Sequence, residues 1–213
     1  MNYIVNLLLS MKGGMFVTIY IFFVTLVFSI ILGIITAMIR ISNIKIIRAV
    51  VSFYIFIMRG TPLLLQIIFI FFGLPMIGVT FERYTAVFIA FILNYTAYFT
   101  EIFRAGIQSI DKGQFEAAKV LGLSKFQSYR YIILPQMFKN ILPALANEVI
   151  TLVKDTSLVY VVGIADVLRE GKIAVNRDAT LLPFLVVAMF YAGFIYVLSD
   201  LFKKVESRFE YYR

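Results

Sequence analysis

Cysteine and histidine are both absent from the 213 residues. Without them the chain has no disulfide staple, no thiol nucleophile, no imidazole acid or base, and no His/Cys metal site. Charge is scarce as well: 15% of residues are charged, against a usual ~25% in soluble domains. Hydrophobic residues fill 62% of the chain, Phe occurs 22 times, and the mean hydropathy is +0.92. A chain with room for one domain cannot hide that much apolar surface from water. A soluble enzyme is excluded. What remains is an all-α integral membrane protein, expected as one transmembrane domain over residues 1–213.

A helix needs about 20 mostly apolar residues to cross a hydrocarbon core of ~30 Å. Five stretches qualify as expected spans: residues 15–39, 49–72, 85–103, 143–162 and 181–202. The first is polar only at Thr18, Thr25, Ser29 and Thr36, and the second is interrupted by Met58-Arg59-Gly60-Thr61-Pro62. The third contains Asn94 and Glu101, and the fourth carries Asn147, Glu148, Lys154 and Asp155. No internal repeat relates them. Residues 1–14 do not read as a cleaved signal peptide, because Lys12 follows the apolar run instead of leading it. The interval 104–140 is charged yet helical in period, and is expected outside the bilayer.

Lys and Arg in the loops set the orientation. With the N-terminus outside, the inner side holds Arg40, Lys45, Arg48, Arg104, Lys112, Lys119, Lys125, Arg130, Lys139, Lys203, Lys204, Arg208 and Arg213. The outer side then holds only Lys12, Arg83, Arg169, Lys172 and Arg177. The imbalance predicts an external N-terminus and a cytoplasmic C-terminus. The net charge of +8 is thus a topology signal, with no nucleic acid implied. Between the fourth and fifth spans, residues 163–180 place charges around Ile164, Val167 and Leu168, which suits a short amphipathic helix at the outer surface.

The long inner loop reads Glu116-Ala117-Ala118, then Gly122, then Ile132, Leu134 and Pro135. With this E-A-A-x3-G-x9-I-x-L-P spacing the sequence resembles the permease subunits of bacterial ABC importers. Further segments extend the resemblance to the polar amino-acid branch, the histidine/glutamine/arginine/opine group. They are Arg59-Gly60-Thr61-Pro62-Leu63-Leu64-Leu65-Gln66, Ala97-Tyr98, Glu101, Arg104-Ala105-Gly106-Ile107 and Lys154-Asp155-Thr156-Ser157-Leu158. The resemblance covers most of residues 59–166. It implies a type I importer permease in the bacterial plasma membrane, with a cytoplasmic coupling loop at about 105–140. It also implies an ATPase dimer, an extracytoplasmic amino-acid-binding protein, and a second permease subunit, identical or related.

The loop's own residues fit that role. Ala117, Ala118 and Leu121 give a small apolar stripe, with Glu116 expected near the helix start, where the dipole favours an anion. Gly122 is expected to stop this helix, and Ser124 to cap a second one running toward Ile133. Two short helices joined at a glycine form a knob for a groove in another protein; an ordinary surface hairpin is the alternative. Glu116, Ala117, Ala118, Gly122 and Leu123 are the expected coupling residues. No G-x-x-x-x-G-K-[ST] segment occurs, so no cofactor is expected here and ATP belongs to a partner.

Glu148 and Asp155 are seven residues apart, so on a helix they share one face about 10 Å apart along the axis, with Thr151 between them. Ionised groups at mid-bilayer cost roughly 2.5–3.5 kcal/mol each on insertion scales, so two acids call for a cavity or cationic partners. Stacked carboxylates match the two positive ends of arginine or lysine. Asp155 could instead cap a segment at Thr156-Ser157, Lys154 or Arg59 could neutralise an acid, and Glu148 could face a dimer partner. Asn147 joins the substrate candidates because the Asn-Glu pair is similar to that of basic-residue permeases. Thr61 and Pro62 open a new helix whose freed groups could receive a carboxylate, a packing kink being the alternative; Gln66 lies one turn on. Tyrosines near span ends read as headgroup anchors, Asn94 as an interhelical hydrogen bonder, and Glu101–Arg104 as an ion pair. The reading is a permease for polar, first basic, amino acids. Its competitors are an ion-gradient transporter, a permease for a neutral or acidic amino acid such as glutamine, and a non-transporting scaffold.

Overall fold

The computed structural model describes residues 2–209, and among them every regular element is helical. In chain order these are α1 (Asn2–Arg40), α2 (Lys45–Gly60), α3 (Leu63–Ile68), α4 (Arg83–Gln108), α5 (Lys112–Val120), α6 (Lys125–Ser128), α7 (Leu134–Asp155), α8 (Val167–Asp178) and α9 (Leu182–Phe209). A π-helical turn, Phe69–Gly73, and a 3-10 turn, Leu74–Ile77, follow α3. Another π turn, Tyr129–Ile133, joins α6 to α7, and a 3-10 turn, Thr156–Val162, extends α7.

Three helices are long and apolar enough to cross a membrane: Tyr3–Arg40, Arg83–Gln108 and Leu182–Phe209. The expected second span is a broken one, with Lys45–Gly60 and Leu63–Ile77 bent by 103°. The expected fourth span is α7, which begins at Leu134, earlier than read from the sequence, and is made more polar by Lys139, Glu148, Lys154 and Asp155. The helices thus display three straight apolar spans and one broken span, with α7 standing apart as the charged one.

The membrane inverts the usual packing pattern, and α1 shows it. Thr18, Thr25 and Ser29 are fully buried, while Phe16, Phe23, Phe28 and Ile31 point outward. Small and polar groups at helix contacts are what lipid solvent selects, because the tails are as apolar as the side chains. Thr18 Oγ1 donates to Gly14 O at 3.0 Å and accepts Val167 N–H at 3.2 Å, which seats the start of α8 on α1. At 39 residues α1 would be about 58 Å long, well beyond a ~30 Å core. Its extra turns carry Leu7 and Met11 into a small core with Val167, Ala174 and Val187 of α8 and α9.

The central helix is α4, which packs against α1, α2, α3 and α7. Phe91, Tyr95, Phe99 and Phe103 recur every four residues and stack along one face, with centroids 6.3–6.4 Å apart. Farther along the same face Gly106 meets α7 so closely that a Cβ there would overlap Ile141 Cγ2 and sit 3.0 Å from Met137 Cγ.

Two outcomes follow from this packing. Gly106→Val should separate α4 from α7 and destabilise the protein by about 1–3 kcal/mol, as overpacked sites do, read as a lower Tm in detergent. Asp166 is fully buried and caps α8, accepting Leu168 N–H and Arg169 N–H, both at 3.1 Å. Burial pushes its carboxyl up to about 6. The native state therefore holds this proton more tightly than the unfolded one. The matching stabilisation is complete at low pH and lost as pH rises from near 4 to about 6. Asp166→Asn keeps the cap, and should flatten the Tm profile across that window.

Candidate functional site

Pro62 has no N–H to donate and holds Thr61 extended, so α2 stops and its last carbonyls lose helical partners. Three side chains answer them. Thr61 Oγ1 donates to Ile57 O at 2.8 Å. Gln66 Nε2 donates to Met58 O at 3.0 Å and to Thr61 Oγ1 at 2.8 Å. Asn94 Nδ2 reaches across from α4 to Met58 O at 2.8 Å and to Gln66 Oε1 at 3.1 Å. The break is thus tied off by a polar knot, and Asn94 forms the interhelical bonds expected of it. Gln66, expected beside the substrate, is corrected to a structural role: its amide serves the bend and does not line the cavity.

Beside the knot lies a cavity of about 360 Å³. The broken span contributes Arg59, Thr61 and Pro62, α4 contributes Asn94, Tyr95 and Tyr98, and α7 contributes Glu148, Thr151 and Asp155. The three α7 residues share one face, as their spacing requires. Tyr95 OH donates to Asp155 Oδ2 at 2.7 Å and fixes that carboxylate toward the cavity. Asp155 makes no side-chain cap bond to the following 3-10 turn, and neither Lys154 nor Arg59 comes within ion-pair distance of an acid among the described residues. Glu148 forms no ion pair among the described residues.

A second cavity, about 600 Å³, continues along α4 and α7 toward the loop end of both helices. Asn147 lines this one and not the first. Arg59, Tyr98 and Glu148 line both, and form the boundary between them. The Arg59 guanidinium lies over the Tyr98 ring, 5.0 Å from its centroid. In the second cavity Glu101 is already paired, with Arg104 Nη2 at 2.6 Å and Arg40 Nε at 3.7 Å. Arg59, Asn94, Tyr95 and Tyr98 line the first cavity without being among the expected substrate residues, and the two tyrosines carry no expected role of their own. Their signal was their place at mid-helix beside Asn94, away from any headgroup layer.

The loop carries the other candidate surface. The α5 cap is Asp111, whose Oδ1 accepts Gly113 N–H at 2.6 Å. Glu116 is the fifth residue of that helix, so its expected place at the N-terminus is corrected. Ala118 is also corrected: it is fully buried against the body, and Leu123 is half-buried. The face that protrudes is Ala117, Val120, Leu121 and Phe126, the last three 72–87% exposed. Gly122 does end the helix, at φ +72°, a conformation that suits glycine. Ser124 and Gln127 then form a reciprocal capping box at the start of α6.

The family model described as binding-protein-dependent transport system inner membrane component matches residues 29–211. The chain is 38% identical to the arginine transport system permease protein of Bacillus subtilis, covering 92% of this chain and 90% of that one. It is 36% identical to the putative glutamine transport system permease protein of Rickettsia conorii, with the same two coverages. Among solved structures, an amino acid ABC transporter crystallised with histidines superposes with TM-score 0.87, at 37% identity over 97% of both chains.

The knot is open to direct test. Gln66→Leu removes one of the two donors to the Met58 carbonyl, the donor to the Thr61 hydroxyl and the acceptor of an Asn94 N–H. An unmet buried polar group costs about 1–3 kcal/mol, so the Tm of the purified protein should fall, while Leu65→Ala, on the exposed side of the same turn, should change it little.

Proposed function

The chain belongs to the family of binding-protein-dependent transport system inner membrane components, and on that premise we propose that its cargo is a basic amino acid, arginine first. It is a permease subunit of an amino-acid ABC importer, a multi-pass membrane protein with no catalytic activity of its own. Membership implies an ATPase and a substrate-binding protein as partners.

The single observation that carries the cargo assignment is the acidic face of α7. Glu148, Thr151 and Asp155 line one cavity, and neither carboxylate has a cationic partner within ion-pair distance among the described residues. A buried acid without a partner is costly, and a cationic side chain together with an α-ammonium would relieve both. A neutral cargo such as glutamine relieves only one, which weighs against the reading that the glutamine permease relative suggests.

Both cavities lie along the shared face of α4 and α7, and a second permease subunit would close it, identical to this one by the commonest oligomer symmetry. The protruding Ala117, Val120, Leu121 and Phe126 would dock on the ATPase, which binds the ATP. Its closure would draw two such knobs together and shift the pathway between outward-facing and inward-facing states. In this arrangement the N-terminus is external and the loop cytoplasmic.

Two measurements test the reading. In the reconstituted complex, Glu148→Gln should weaken arginine-stimulated ATP hydrolysis about tenfold or more in apparent affinity, as loss of one charge-assisted contact does; unchanged stimulation would overturn the cargo assignment. Because the chain has no cysteine, Val120→Cys carries a unique thiol. It should cross-link to the ATPase subunit, whereas Val50→Cys, exposed on α2, should not.

A further inference from the structure

A basic amino acid brings two cations and one carboxylate. Glu148 and Asp155 answer the cations, and the carboxylate still needs a partner. The Thr61 hydroxyl does not supply one, because its proton goes to Ile57 O.

Arg59 is the cation that lines this cavity. It makes no ion pair or hydrogen bond among the described residues, so its planar fork of N–H donors is uncommitted. One face of the guanidinium rests on Tyr98, which leaves the edges free for hydrogen bonds. Arg59 sits in the last turn of α2, whose negative dipole end favours a cation. Gly60 beside it has open space where a side chain would be. The cavity wall therefore carries two acids and one arginine, the mirror of a cargo with two positive groups and one negative.

Resting on the basic cargo proposed above, we infer that Arg59 is the specificity residue that binds the cargo's α-carboxylate, its guanidinium steadied by Tyr98 at the boundary between the two cavities. Guanidinium and carboxylate pair as fork to fork, two parallel hydrogen bonds that fix direction as well as charge. The cargo is then held with its carboxylate at the boundary and its cations along Glu148 and Asp155. A site built this way rejects an amine that lacks the carboxylate, because Arg59 would be left without its partner.

The test compares arginine with agmatine, which keeps both cations and lacks only the carboxylate. Equilibrium binding is measured on the purified complex, wild type and Arg59→Gln, with the Tm of each as the folding control. Wild type should bind arginine about tenfold or more tightly than agmatine, as a charge-assisted pair requires. Arg59→Gln should bring that ratio close to one, chiefly by weakening arginine. Arg59→Lys, which keeps the charge and loses the fork, should fall between and guards against a variant that fails to fold. If Arg59→Gln weakens both ligands equally, Arg59 is merely a counter-ion to Glu148 and the inference is overturned; an unchanged ratio overturns it too. Should wild type bind glutamine and not arginine, the basic-cargo reading fails by itself. The Arg59 claim is then decided in the same proteins by glutamine against 4-aminobutanamide, with the same ratio expected to collapse.

Discussion

Lipid offers no hydrogen bonds, and the site depends on how the chain meets that constraint at one point. A proline inside an apolar span frees backbone carbonyls for which lipid offers no partner. Thr61, Gln66 and Asn94 meet the need with side-chain donors drawn from both sides of the break and from α4. Once those bonds are made, a 103° bend becomes a fixed shape instead of a weak spot. Residues of the break and of α7 face each other across one space, which Glu148 and Asp155 line. The knot thus fixes the wall of the cavity that Arg59, Thr61 and Pro62 supply.

The same solvent decides which parts of the sequence were legible. Apolar runs, loop charges and the glycine and serine that end and restart the loop helices are local signals, and they gave the helices, the break and the knob. The seven-residue spacing of Glu148 and Asp155 is local too, and both face one cavity. Gln66 was misplaced because its partners, Met58 and Asn94, lie eight and 28 residues away, and only tertiary structure brings the three together. Ala118 was misplaced for a related reason. A helix of nine residues has two small-residue faces, and composition does not say which one the body covers. Tyr95, at mid-span, was given no role from the sequence, because its partner Asp155 lies 60 residues away; it joins the aromatic ladder and points its hydroxyl at that carboxylate.

The two cavities differ in how their acids are balanced, and under the proposed basic cargo that difference would give a pathway through them its direction. In the first, Glu148 and Asp155 have no cation within ion-pair distance among the described residues, so the basic cargo proposed above would gain from entering. In the second, Glu101 is already held by Arg104 and approached by Arg40. A positive cargo arriving there would meet Arg104 and a Glu101 already paired, with Glu148 at the boundary as its unpaired acid, and would be held less strongly than in the first. A transporter needs a site that binds and a neighbouring space that does not, since a second tight site would only trap what the first released. Arg59 and Tyr98 stand at the junction of the two. A shift of α2 against α4 would move the carboxylate anchor, the acid at the boundary and the opening between the cavities together. That is the kind of two-position element through which a distant hydrolysis cycle can act on a bound cargo.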